Sequence, residues 1–182
     1  IGAGIGLIPQ CGFSIVASDL YLKNYDKYDS LMERIIERYN SLDNNLTICH
    51  RDMDPKNVMW KNGDPIIIDW ECAGFSNPYI ELLEDALCWS GFLSDNFDKD
   101  KFSAVFKEYL KDSNKSDIDW ILIINCNLYS RFAWLKYNLD RSLGIITTDK
   151  DEISLAEKEV SKTINEINRY INLIGTMLDI IN

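Results

Sequence analysis

Apolar positions along the chain sort into two periodicities. From Tyr28 to Leu42, Leu31, Met32, Ile35, Ile36 and Tyr39 recur at helical spacing with Glu33, Arg34, Glu37 and Arg38 between them, which predicts an amphipathic helix capped by Asp29 or Ser30. Two short apolar runs, Val58 to Trp60 and Ile66 to Ile68, then flank Lys61-Asn62-Gly63-Asp64. An Asn-Gly pair takes up positive φ readily, so this stretch predicts a tight β-hairpin. Just before it, Leu46, Ile48 and Cys49 alternate too briefly to assign, and just after it Glu71 to Ser76 reads as a loop.

Helical spacing returns downstream. Asn77 is placed as an N-cap with Pro78 in the first turn of a helix that runs to about Ser90 and is ended by Gly91. Leu82, Leu83, Ala86, Leu87 and Trp89 form its buried surface, and both Trp70 and Trp89 are expected in the core. A second helix covers Lys101 to Leu110, followed by a loop from Asp112 to Ser116. A long helix from Asp117 to Leu143 carries Trp120, Ile121, Ile124, Leu128, Phe132, Leu135 and Leu139, and Gly144 stops it. The last helix, Glu152 to Ile181, has Ile153, Val160, Ile164, Ile167, Ile171, Ile174 and Leu178 at three- and four-residue steps, as in a helix lying across its own domain or in a coiled coil. The predicted fold class is therefore mainly α with a small β-hairpin (α+β), and residues 1–182 read as a single domain.

The start of the chain adds little. Ile1-Gly2-Ala3-Gly4-Ile5-Gly6 is glycine-rich, but no strand precedes it and Pro9 follows where a helix should open, which argues against a phosphate-cradling loop. Cys11 to Ala17 suits extended chain, and Ser18-Asp19 could cap a short helix. The net charge of -10 argues against nucleic-acid binding through a phosphate-neutralising surface and suits a cationic small partner, although such charge also serves solubility. Five cysteines without a Cys-x-x-Cys pair point to reduced thiols in a cytoplasmic protein. A single histidine, His50, excludes a poly-His zinc site, and no apolar run is long enough to span a membrane.

The chemistry concentrates in His50-Arg51-Asp52-Met53-Asp54-Pro55-Lys56-Asn57 and, past the hairpin, Ile68-Asp69-Trp70-Glu71. The hairpin would bring Asn57 and Asp69 close together. This layout resembles the catalytic and metal loops of the kinase superfamily, in which His-Arg-Asp, four residues and Asn precede a hairpin ending in a metal-binding Asp. Ile68-Asp69-Trp70-Glu71, with Pro78, Glu81 and Leu82 further on, is similar to the aminoglycoside phosphotransferase and choline kinase family of small-molecule kinases. The resemblance implies the C-terminal lobe of a protein-kinase-like fold, with Asp52 as the catalytic base, His50 supporting it, and Asn57 and Asp69 holding Mg²⁺ and the nucleotide, ATP or GTP. Fewer residues precede His50 than a nucleotide-binding lobe and its connection need, roughly a domain's length. The expectation is thus a lobe whose N-terminal partner is absent, inactive alone.

The acceptor implied is a small hydroxyl compound: an aminoglycoside, an amino alcohol, homoserine or a sugar. Glu71, Glu81 and Asp85, with Glu84 beside them, are candidates for receiving a cationic one, against the plainer reading that acids favour a helix start. Protein kinases carry a lysine two places after the base, where this chain has Asp54, which disfavours a protein substrate. Asp52, Asp54 and Asn57 could also do no more than cap turns. Two competing functions remain: a non-catalytic pseudokinase or assembly module of the same fold, and, with fewer ligands to support it, a metal-dependent hydrolase using His50, Asp52 and Asp69.

Overall fold

The computed structural model describes Glu33, residues 46–111 and residues 118–181. The helix expected from Tyr28 to Leu42 lies outside these residues except for Glu33, which is helical. The glycine-rich start, the segment Cys11 to Ala17, the Ser18-Asp19 cap and the loop from Asp112 to Ser116 also lie outside them. The elements in order are β1 (Thr47–Cys49), β2 (Val58–Lys61), β3 (Asp64–Ile67), β4 (Gly74–Ser76), α1 (Pro78–Trp89), α2 (Lys99–Tyr109), α3 (Trp120–Ser142) and α4 (Lys150–Ile181), with short 3₁₀ turns at Pro55–Asn57, Trp70–Cys72 and Phe92–Ser94. The protein is mainly α with a small β part, as the spacing of its apolar residues predicts.

The chain divides into two compact units, Ile1–Glu37 with Leu128–Leu173, and Arg38–Asn127 with Ile174–Asn182. In the second unit the hairpin forms as expected. β2 and β3 pair antiparallel in the register Val58↔Ile67 to Lys61↔Asp64. Asn62 at φ 55 and Gly63 at φ 92 make a two-residue turn with both central residues in the left-handed region, whose twist matches that of the strands it joins. Pro65 is tolerated because the ribbon has only two strands, so a missing N–H costs no bond on a further neighbour.

Two local readings are corrected. The span Glu71 to Ser76 is not loop throughout: Gly74–Ser76 forms β4 and pairs antiparallel with β1, Thr47↔Ser76 to Cys49↔Gly74. Three-residue strands carry too little alternation to be seen by period alone. Trp70 is not in the core but 53% exposed, and Ile121 is likewise exposed on α3. Trp89 is half-buried.

The helix starts follow their Asn and Asp caps. Asn77 caps α1, its side chain accepting from Tyr79 N at 2.9 Å. Asp98 Oδ1 accepts from Asp100 N and Lys101 N, so α2 begins two residues before the expected Lys101. Asp119 Oδ1 accepts from Leu122 N at 2.9 Å, and Asp149 Oδ1 accepts from Asp151 N at 2.8 Å and from Glu152 N at 3.1 Å; these bonds set where α3 and α4 open.

Behind the strands, Leu82, Leu83, Ala86 and Leu87 of α1 are buried, as are Phe102 and Phe106 of α2. Aromatic rings tie these helices to the start of α3: Phe102 to Phe106 at 4.9 Å, Phe106 to Trp120 at 5.4 Å and Trp120 to Tyr79 at 5.7 Å between centroids. Ring contacts of this kind, tilted for Phe102–Phe106 and edge-on for the other two, add to the area they bury, which makes α1 a firm support for whatever rests on it. In the first unit, the buried Arg131 pairs with Glu166, Nε to Oε1 at 3.1 Å, and its guanidinium lies 4.8 Å from the Tyr170 ring centroid. Val160, Ile164, Ile167 and Tyr170 of α4 are fully buried there. Among the described residues, no helix is long and apolar enough to cross a membrane.

Candidate active site

β1 ends at Cys49 and hands the chain to His50, which is 2% exposed. His50 Nδ1 accepts from Asp52 N at 3.3 Å while Nε2 lies 3.0 Å from Ile68 O. An acceptor role at one nitrogen and a carbonyl facing the other assign the neutral imidazole with its proton on Nε2. His50 therefore ties the start of this loop to the far end of the hairpin. Trp70 closes over it, ring to ring at 4.7 Å and 61°, and donates its own Nε1 to Ile67 O at 3.1 Å.

Arg51 follows at φ 69, a conformation costly for a bulky residue. It is held by a short bond: its backbone N–H donates to Glu81 Oε1 at 2.6 Å. The Arg51 side chain runs over Gly74, where an added Cβ would come within 3.0 Å of Nη1, so the glycine of β4 is what lets the guanidinium lie there.

The turn that follows brings Asp52 and Asn57 together. Asp54 Oδ1 accepts from Lys56 N at 3.0 Å, capping the 3₁₀ turn Pro55–Asn57, which is the turn-capping role the plainer reading assigned to it. Asp52 does something else. Asn57 Nδ2 donates to Asp52 O at 2.8 Å and to Asp52 Oδ2 at 2.9 Å. Because the nitrogen faces Asp52, the amide oxygen of Asn57 faces away from it and keeps its lone pairs. Lys56 Nζ lies 3.6 Å from the same Asp52 Oδ2.

The hairpin carries this arrangement towards Asp69. Ile68 N donates to Asn57 O at 3.0 Å, extending the ladder one residue past β3, and Asp69 comes next at φ 64. Its carboxylate is exposed and makes no capping bond to the 3₁₀ turn that follows. The structure thus joins Asp52 to Asn57 through side chains, and Asn57 to the residue before Asp69 through the backbone. No contact is formed between the Asp69 side chain and the other two. The donor set, one amide oxygen and one free carboxylate, is hard oxygen and fits Mg²⁺, which takes only one or two protein carboxylates and leaves its other positions to phosphates and water. Such a site needs no cluster of His, Cys, Asp and Glu, and among the described residues no group of three or more is placed to hold a metal.

The acids proposed for an acceptor sit differently from one another. Glu71 is exposed. Glu81 is half-buried and engaged by Arg51 N. Glu84 Oε2 accepts from Asn127 Nδ2 at 2.8 Å. Burial first, then the charges of Glu81 and Glu84, push the Asp85 carboxyl up to about 8, so near neutral pH it is largely protonated and offers little charge to a cation. Burial, with Glu81 beside it, pushes the Cys49 thiol up to about 12, which makes it an inert packing group. Cys49, Cys72, Cys88 and Cys126 are all free thiols. Sequence reasoning missed the part played by Trp89, whose indole Nε1 donates to Met53 O at 3.0 Å; only the long separation of the two residues in the chain hides it.

These residues lie inside a match to the phosphotransferase enzyme family, APH, that covers residues 16–119, more than half of the 182-residue chain. The chain belongs to that family of phosphotransferases. Neither the curated proteins nor the solved structures give a match.

Proposed function

We propose that the chain supports transfer of the γ-phosphoryl group of ATP or GTP to a hydroxyl of a small acceptor, with cationic acceptors favoured by the net charge of -10. The observation that carries this reading is the pair of hydrogen bonds from Asn57 Nδ2 to Asp52, which ties a carboxylate to an amide whose oxygen stays available at the mouth of the hairpin. Asp52 orients the acceptor hydroxyl and takes its proton; the acceptor oxygen forms a bond to the γ-phosphorus as the bond from that phosphorus to the β-γ bridging oxygen breaks. The transition state is loose, so alignment of the hydroxyl counts for more than basicity of the carboxylate. His50 acts by holding the loop, since both its ring nitrogens are occupied. Mg²⁺ bound through Asn57 Oδ1 and Asp69 would offset charge on the phosphate oxygens.

In this reading the chain is the acceptor-side lobe of a protein-kinase-like fold and works with a nucleotide-binding lobe. The large apolar side chains left exposed on the hairpin, Met59, Trp60 and Ile66, are consistent with such a neighbour. The test is an assay of the chain, alone and within the longest polypeptide that contains it, with Mg-ATP or Mg-GTP and a panel of amino alcohols, aminoglycosides, homoserine and sugars. Product gaining the mass of one phosphate supports the reading. Nucleotide binding without transfer to any acceptor would favour the non-catalytic module instead.

A further inference from the structure

Helix α1 grips the segment around Asp52 at two places. Near its start Glu81 Oε1 accepts from Arg51 N at 2.6 Å; at its last residue Trp89 Nε1 donates to Met53 O at 3.0 Å. One residue lies between the two attachments, and it is Asp52. The helix itself has little room to yield, with Leu83, Ala86 and Leu87 at 0% exposure.

The two bonds differ in what they do. Glu81 holds Arg51 in its left-handed conformation. On the other side, the Asn57 amide meets Asp52 with a single nitrogen shared between two oxygens, which fixes a distance but allows the carboxylate to swing about it. Trp89 holds the peptide that joins Met53 to Asp54, and among the described residues no other group donates to Met53 O. A phenylalanine would keep an aromatic ring at position 89, smaller and without the N–H. What the indole adds is an N–H aimed at a carbonyl one residue beyond the carboxylate.

We propose that Trp89 is a positioning residue for Asp52, its indole N–H fixing the peptide that joins Met53 to Asp54, one residue beyond Asp52, and with it the direction in which the carboxylate faces the acceptor. The inference rests on the phosphotransfer reading for its kinetic consequence, though not for its geometric one. A carboxylate turned out of line loses alignment of the hydroxyl, while Asn57 keeps its bond to the Asp52 backbone oxygen and Asp69 is not involved, so the effect falls on turnover and not on nucleotide binding.

The experiment compares wild type with Trp89→Phe and with a variant carrying benzothienylalanine at position 89, which keeps the outline of the indole and removes only the N–H. Two readouts are taken: steady-state kinetics of the active polypeptide, and the ¹³C resonance of the Asp52 carboxyl in the chain without nucleotide. Expected are a kcat lower by about ten- to hundred-fold, an unchanged nucleotide KM, and a moved Asp52 resonance in both variants, with far-UV circular dichroism as in wild type. An Asp52 resonance that stays at its wild-type position overturns the proposal, as does a nucleotide KM that rises in step with the fall in kcat. If wild type transfers no phosphate while the resonance moves, the phosphotransfer reading fails and the positioning of Asp52 by Trp89 stands.

Discussion

The side chain of Asn57, 4% exposed, spends its one NH₂ group on Asp52, at 2.8 Å to the backbone oxygen and 2.9 Å to the carboxylate. This pair of bonds holds Asp52 at a fixed distance from Asn57, and only its charge distinguishes the carboxylate from an amide of the same shape. Replacing the charge alone is therefore the sharpest test of its role. Asp52→Asn retains an acceptor for Asn57 and is expected to keep the fold, with an unchanged circular dichroism spectrum, while single-turnover transfer falls by about 10²- to 10⁴-fold. Transfer within a few-fold of wild type would remove Asp52 from the reaction.

In the proposed reaction Asn57 serves both structure and chemistry. Asn57→Ala strips the donor from the Asp52 carbonyl and carboxylate, and because the Asp52 side chain is 38% exposed and can turn to water, the loss is expected at about 1 kcal/mol. Thermal unfolding should show that loss, and Mg²⁺-dependent protection by nucleotide should vanish with it. A variant as stable as wild type that still binds Mg-nucleotide would contradict the assignment.

Spacing along the chain points to the candidate site more readily than to the contacts that support it. His50, Asp52, Asn57 and Asp69 announce themselves by spacing, and the Asn62-Gly63 turn fixes the hairpin between them because so few conformations satisfy two positive φ values in a row. The capping aspartates Asp98, Asp119 and Asp149 were also in plain view, and reading each as a cap would have set the starts of α2, α3 and α4 to the residue. β4 could not be read, since a strand of three residues has no period of its own and exists only through its pairing with β1. Trp70 looked like core because tryptophan usually is; here the ring lies on the surface of a loop, one face against His50. The grips of Glu81 on Arg51 and of Trp89 on Met53 join residues 30 and 36 positions apart, and no local pattern encodes a bond of that length.

The hairpin turn offers a test that leaves the site chemistry alone. A Cβ at Gly63 would meet nothing within 4 Å, so any cost of Gly63→Ala comes from its φ of 92 and not from crowding. The expected loss is about 1 kcal/mol, seen as a lower midpoint in urea with an unchanged slope. Asp52-dependent transfer should persist, because the turn lies at the opposite end of the ribbon from Asn57 and Ile68.

Asp85 gives the fold a pH dependence of definite sign. Its carboxyl is buried among acids on its own helix, Glu81 and Glu84, with Cys49 of β1 in the same field, and is pushed up to about 8. The unfolded chain releases this proton near pH 4, so between roughly pH 4 and pH 8 the folded state holds one proton more than the unfolded state. Stability from this group is then fully present below the unfolded value and declines as pH rises towards the folded one. Asp85→Asn keeps the size and removes the titration. It should stabilise the fold at pH 8 by an amount on the order of 2 kcal/mol, seen as a higher melting temperature, and have a much smaller effect at pH 4, flattening the profile between. Thermal scans of both proteins across that range decide it: a wild-type profile that climbs from pH 5 to pH 8, or an Asn variant that follows wild type in parallel, would mean that Asp85 ionises as an ordinary surface carboxylate.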